Sequence, residues 1–433
     1  MKHKWLIAVF SAVFILALAL GIGIRLLILK DDSGHDLNDS LPTDATSSPI
    51  IDPNIPQYTV SPPSTEPVMS DLGVPDGGFE NFETIFPDEP NAEPILSTNT
   101  SSDGDGIVHI CIGGDTSIDG EFADFASSQS PDYPWEDISG IMSGADIAIV
   151  NLETCVSEQG VSEKREGYGF ETPPKMLEGF KNAGIDAVNL ANNHVRDFGY
   201  DALLDTFLNL FDYGIKYFGA GRDYDEAGDL LIFECDGVKI GFTGANKVYL
   251  SQDCVADEEH AGVNQIGEIG DESTERFVER LSEYDTLCDV LIVFIHAGTE
   301  EVYDVTSYQK DISRLCIDAG ADIIVGGHSH TLQPIEFYKG KPIIYSIGNL
   351  IFWHIDDDLD GLAAIFDISV SKSGFIGLTL RPVFIKNYKA NILSEGEGKF
   401  PTRYRQIIDL MNTNCEPYGI SFDDSGKMQI IDS

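Results

Sequence analysis

The chain has 433 residues and 42% hydrophobic content, enough for one large domain or two ordinary ones around a real core. Its 72 acidic residues against 27 Lys and Arg give a formal net charge of -45. That balance excludes ordinary nucleic-acid binding, which needs clustered cations to release counterions from phosphates, and it makes capture of a polyanion costly unless bound cations bridge the two.

In chain order, the first feature is an apolar run from Trp5 to Ile24, interrupted by Arg25 and continued by Leu26 to Leu29. About 20 residues at roughly 1.5 Å each span a bilayer core of about 30 Å. Residues 1–30 are therefore expected to form a transmembrane helix, with Lys2 and Lys4 on the cytoplasmic side. A cleaved signal peptide with Ala17-Leu18-Ala19 as its processing site is the competing reading. Either one puts the remainder outside the cytoplasmic membrane. Residues 31–105 hold more than half of the chain's 20 prolines, many Ser, Thr, Asp and Glu, and neither Lys nor Arg. Such a segment buries too little to offset its ordering entropy and is expected to be a disordered, extended stalk.

From Ile107 the pattern changes to alternating strands and helices. Strands are expected at 107–112, 146–150, 185–190, 215–218, 290–295 and 323–325, and helices at 174–183, 202–211, 274–284 and 308–319. Gly184 and Gly320 read as helix stops. Asp236-Gly237, between the apolar runs 231–235 and 238–243, reads as a hairpin turn. Beyond Ile335 the chain is strand-rich to about Ile385, and a short helix near 403–411 follows. This is an α/β domain with mixed sheets, spanning about 106–390, with 391–433 as an extension packed on it. The seven cysteines (111, 155, 235, 254, 288, 316 and 415) form no CxxC or paired framework, and Cys111, Cys235 and Cys316 read as small core residues.

One feature recurs five times: a buried strand ends and a metal-competent or catalytic side chain follows. These are Asp115, the Asn151/Glu153 pair, Asn193-His194, His296, and His328/His330. Ligands of open α/β sheets bind beyond the carboxyl ends of the strands, so five such ends can converge on one site. Neutral imidazoles and carboxylates are what divalent metals take, and His328-Ser329-His330 after Gly326-Gly327 puts two imidazoles on one tight loop.

These segments, in order over about residues 107–355, resemble the poly-gamma-glutamate capsule-synthesis family (CapA-type), a relative of the calcineurin-like metallophosphoesterases. Gly113-Gly114-Asp115 resembles its first Gly-Asp motif, Asn151-Leu152-Glu153 its Asn-Leu-Glu motif, and Leu190 to His194 with Asp197 and Gly199 its Ala-Asn-Asn-His block. His296-Ala297-Gly298 with Glu301 resembles its His-Trp-Gly-Glu block, with Ala297 in place of Trp. Gly327 to His330 resembles its last metal motif, with Ser329 where Pro is usual, and Tyr345-Ser346-Ile347-Gly348-Asn349 resembles the block that follows.

The resemblance implies a metallophosphoesterase-like layered fold with mixed sheets flanked by helices. It implies two divalent metals (Mn, Zn or Fe), one held by Asp115 and His330, the other by Asn193, His296 and His328, with Glu153 bridging. His194 would not be a ligand but a proton donor to the leaving group, oriented by Asp197. Ser117 stands where the wider superfamily has a ligating His, which leaves the first metal with fewer ligands. Lys164 and Arg165 are expected to meet an anionic substrate, Glu300 and Glu301 either to reach the site or to lie on a solvated loop, Tyr345 and Asn349 to support the histidine loop, and Trp135 and Trp353 to pack. The implied role is capsule polymer synthesis or export at the cell membrane, with an anionic envelope polymer and membrane-embedded synthase subunits as partners. A non-catalytic assembly factor and a phosphoesterase acting on another envelope substrate are the alternatives.

Overall fold

The structure, a computed structural model, describes residues 95–96, 106–162, 169–352, 361–396 and 398–431. The expected membrane helix, nearly all of the stalk, Lys164, Arg165 and Trp353 lie outside these residues. Among the described residues no helix is long and apolar enough to cross a membrane.

Two mixed sheets carry the fold. In the first, Val108–Thr116 runs parallel to Ile147–Leu152, which is followed outward by Ala187–Asn189 and Lys216–Phe218, also parallel. On its other side Val108–Thr116 pairs antiparallel with Leu362–Ser371, then Gly374–Ile385 and Ala390–Ile392. In the second, Val238–Asn246, Val290–His296, Ile323–Gly327 and Lys341–Ile344 are parallel neighbours, with antiparallel strands Leu231–Cys235 and Ile335–Tyr338 beside the outer two. The central parallel strands are mostly apolar because both faces are covered: every residue of Ile147–Leu152 and of Val290–His296 is buried.

Alternation along the strands sorts the core into layers. Ile110, Ile112, Ile147 and Ile149 of the first sheet share a cluster with Ile240, Phe242, Ile292 and Phe294 of the second, so the sheets pack face to face. The opposite face of the first sheet, with Cys111, Ala148 and Val150, meets Phe180 of helix Leu177–Ala183 and Leu203 and Phe207 of helix Tyr200–Tyr213. Leu291, Val293 and Ile295 on the second sheet meet Phe277 of Glu272–Tyr284 and Ile312 and Cys316 of Ser307–Asp318. The result is a helix–sheet–sheet–helix sandwich. Helix Arg403–Cys415 adds Ile407, Ile408, Met411 and Cys415 to the inter-sheet core.

The local signals behave as their chemistry requires. Gly184 caps its helix with φ 85°, and Asp236 and Gly237 both have positive φ, as a tight hairpin turn on a right-twisted ribbon needs. Cys111, Cys235 and Cys316 are buried and form no disulfide. Trp135 is buried against Phe180 at 4.6 Å between ring centroids.

The first strand departs from the expected stop at Gly113. It continues to Thr116, with a bulge between Gly113 and Asp115, because Asn349–Ile351 comes in beside it. Asp115 N–H donates to the Gly348 carbonyl at 2.8 Å. The approach is too close for a side chain: a Cβ on Gly114 would sit 2.0 Å from the Gly348 oxygen. Gly114→Ala is therefore expected to cost about 3 kcal/mol or more in urea unfolding, the upper end of overpacking because backbone must move. Gly140→Ala, in helix Ser139–Met142 with nothing within 4 Å of the added carbon, is expected to stay within about 1 kcal/mol of the native chain.

Candidate metal centre

Three parallel strands of the first sheet deliver one set of donors at their carboxyl ends. Asp115 lies near the end of Val108–Thr116, Glu153 follows Ile147–Leu152, and Asn193 follows Ala187–Asn189. The second sheet delivers the rest: His296 closes Val290–His296, and His328 and His330 follow Ile323–Gly327. Face-to-face packing brings both sets together. Glu153 Oε1 lies 3.3 Å from His296 Nε2 and 4.0 Å from His330 Nε2. His296 Nε2 lies 2.8 Å from Asn193 Oδ1.

A relay of amides fixes the first carboxylate. Asn189 Nδ2 donates to Asn151 Oδ1 at 2.8 Å, and Asn151 Nδ2 donates to Asp115 Oδ1 at 2.7 Å. Asp115 Oδ2 is thereby turned inward, where no hydrogen bond reaches it. His330 Nδ1 is 3.1 Å from that oxygen, but it also lies 2.9 Å from Asn349 Oδ1, which is an acceptor only, so Asn349 takes its N–H and leaves Nε2 facing Glu153. His328 and His330 reach these positions at φ 84° and 56°, a left-handed backbone costly for residues with a Cβ. The Glu301 N–H, bonded to the Ser329 carbonyl at 2.9 Å, helps pin the turn between them.

Four buried polar atoms here have no hydrogen-bond partner among the described residues: Asp115 Oδ2, both oxygens of Glu153, and His328 Nδ1. Burying a carboxylate with neither oxygen satisfied costs several kcal/mol unless a cation compensates it. The donors form two groups whose atoms lie within 4.8 Å of one another, Asp115–Glu153–His330 and Glu153–His296–His328, sharing Glu153. Carboxylates, an amide oxygen and imidazoles are a donor set compatible with divalent metal ions.

The electrostatics agree. Burial pushes His296 and His328 down to about 3, so both imidazoles are neutral with a lone pair to give. Burial also raises Glu153, with the Asp115 charge adding to it, to about 8. Burial opposes ionisation of Asp115 too, but His330 beside it holds that carboxyl below its ordinary range. Against burial, Glu153 and Asp115 push His330 up to about 10.

His194 stands outside both groups. Its Nδ1 is 2.6 Å from Asp197 Oδ2, which fixes the proton on Nδ1 and turns Nε2 toward Glu153 Oε1, 4.0 Å away. Phe170 stacks on the ring at 4.1 Å, its N–H bonds Asp197 Oδ2 at 3.0 Å, and Phe352 packs on both Phe170 and His330. Glu300 and Glu301 are exposed. Asn349 supports the histidine loop directly, whereas Tyr345 acts at one remove, its hydroxyl donating to Glu336 at 2.5 Å and its carbonyl accepting from Gln309. Asn189, Phe170, Phe352 and Arg196 were not singled out from the sequence. Only Arg196 carries a signal there, as a cation inside the Asn-Asn-His block of an acidic chain.

Residues 109–354 match the family described as bacterial capsule synthesis protein PGA_cap. The chain is 25% identical over 242 residues to the capsule biosynthesis protein CapA of Bacillus anthracis, covering 55% of this chain and 58% of that one. It is 30% identical over 217 residues to the PGA biosynthesis protein CapA of Bacillus subtilis, covering 50% and 55%. It is 28% identical over 236 residues to a probable polyglutamine synthesis accessory protein of Mycobacterium tuberculosis, covering 53% and 61%. The chain thus spans somewhat more than half the length of the curated relatives it matches.

The buried Glu153 carboxyl has a stability consequence of definite sign. In the metal-free folded chain it keeps its proton to about pH 8, against an ordinary value of 4.5. The folded state therefore binds more protons between those values, and Glu153 costs stability progressively as pH rises from 4.5 to 8. Glu153→Gln removes the cost. With metal chelated, the variant is expected to melt with the native chain near pH 4.5 and above it at pH 8.5, while its metal content collapses; calorimetry and metal analysis check this. A native chain melting higher than the variant at pH 8.5 without metal would refute the account.

Proposed function

The chain belongs to the bacterial capsule synthesis protein PGA_cap family, and on that basis we propose that it serves the making or export of a poly-γ-glutamate-type capsule at the cell surface, with a two-metal hydrolytic centre in a metallophosphoesterase-like fold. The relatives' names support the capsule part. The acidic, proline-rich stretch after the apolar run of residues 5–24 supports a single-pass anchor, a stalk and an extracellular domain, with membrane-embedded synthase subunits as partners. The donor set supports the metals: Asp115, Glu153 and His330 would hold one divalent cation, and Glu153, Asn193, His296 and His328 the other.

The observation that carries the hydrolytic reading is His194. A protein using metals only to hold its fold needs the ligands, but not a buried imidazole outside the ligand set, oriented by a carboxylate and aimed at the shared ligand. Divalent cations bound here supply charge neutralisation at a reacting oxygen and a more acidic water. His194, its Nδ1 proton held by Asp197, presents Nε2 as the donor to a leaving oxygen or nitrogen. Phe170 fixes the ring's plane, and Phe170 and Phe352 keep that side of the site apolar. The bond cleaved would be a phosphoester or an amide of an envelope polymer.

The test loads full-length protein with Mn²⁺ or Zn²⁺ and follows hydrolysis of a phosphodiester and of poly-γ-glutamate. His194→Ala is expected to keep its metal and melting temperature and lose about 10²–10⁴-fold in turnover, the usual share of a general acid. Equal turnover in both proteins would sink the role given to His194. Bound metal with no turnover in the native chain would favour the non-catalytic assembly factor. Turnover on the phosphodiester alone would favour another envelope substrate.

A further inference from the structure

Arg196 follows His194 by two residues, and its side chain is only 9% exposed. Its Nε and Nη1 are buried with no hydrogen-bond partner. Among the described residues, the acid within 4 Å of it is Asp253, whose Oδ2 lies 3.7 Å from Nη2 on a side chain 65% exposed. The ring of Tyr200 lies 5.7 Å from the guanidinium carbon. Arg314 also has an unpartnered Nε, but its Nη2 is answered directly by Glu336 at 2.6 Å. Among the described residues, the acid in ion-pair range of this cation is that one distant, solvated carboxylate. Burying a charge so poorly compensated is expensive.

Arg196 lines a cavity of about 200 Å³ together with Asn193, Asp197, Tyr249, Ser251 and Cys254. Asn193 is the residue whose Oδ1 meets His296 in the candidate metal centre, so the cavity adjoins that centre. The space suits one side group of a ligand, not a polymer backbone. A guanidinium with free donors at its wall selects an oxyanion, and its planar donor geometry suits a carboxylate. The exposed Asp253 carboxylate stands near the place such a group would take.

We propose that Arg196 and this cavity form a carboxylate subsite beside the metal centre, which takes a free α-carboxylate of a γ-linked glutamyl unit. The assignment rests on the polymer reading above. A cation at this point also answers the charge problem, since the net charge of -45 otherwise repels a polyanion.

The experiment titrates a γ-linked glutamate oligomer, the same oligomer with amidated α-carboxylates, and inorganic phosphate into the full-length, Mn²⁺-loaded protein, its Arg196→Gln and Arg196→Lys variants, and Asp253→Asn. The native chain is expected to bind the oligomer and discriminate against the amidated form. Arg196→Gln should lose about tenfold or more in affinity, as expected of one charge-assisted hydrogen bond, with partial recovery in Arg196→Lys. Asp253→Asn, a change at a side chain 65% exposed and expected to leave the melting temperature nearly unaltered, should bind the oligomer more tightly by removing a competing carboxylate. Oligomer binding indifferent to both Arg196→Gln and Asp253→Asn would overturn the subsite and leave the polymer reading intact. No oligomer binding by the native chain would overturn both, and phosphate binding lost in Arg196→Gln would then mark the cavity as a phosphate site instead. An Arg196→Gln protein with a markedly lower melting temperature in the absence of oligomer would make Arg196 structural and also overturn the assignment.

Discussion

Glu153 is the constraint on which this molecule turns. Its carboxylate is fully buried at the point where two sheets meet, and neither oxygen has a hydrogen bond. A fold tolerates such a group only when something else is gained there, and the surroundings show what. Three imidazoles, a second carboxylate and an amide oxygen face it, two of those imidazoles kept neutral by burial. The amides of Asn189 and Asn151 hold Asp115 still, and Asn349 does the same for His330. Without a cation, protons on Glu153 and His330 are what keep the cluster's charge tolerable.

The sequence displayed the ends of the parallel strands, because a buried strand reads as an apolar run and the polar residue that stops it is conspicuous. All five such ends do meet at one place. Helix stops at Gly184 and Gly320 were equally legible, since left-handed caps favour glycine. Less legible was whatever depends on a distant partner. The first strand runs past its glycines only because Asn349–Ile351 packs beside them. Helix Gly120–Gln129 opens on glycine and carries two serines, so neither propensity nor a strong apolar stripe announces it. Phe170, Phe352 and Asn189 are ordinary residues until the fold sets them against His194, His330 and Asn151. Arg196 was visible as a charge, but the burial of its Nε and Nη1 is a property of three dimensions.

Backbone and side-chain costs gather in the same few residues. His328 and His330 accept left-handed φ values, Glu153 and Arg196 accept poor compensation, and the central parallel strands beside them are fully buried. The regular part of the fold stabilises what the irregular part gives away.

The division of donors between the sheets has a kinetic consequence. Asp115, Glu153 and Asn193 belong to one layer, and His296, His328 and His330 to the other. Neither layer alone offers a complete donor set, so capture of a divalent cation here would wait for the layers to dock. An ion that binds only after the rate-limiting step leaves the folding rate untouched and acts as a rivet, slowing the layers' separation. Durability of a metal-loaded domain would then be a matter of lifetime: the bound ion would show in how slowly the two layers part, not in how fast they meet.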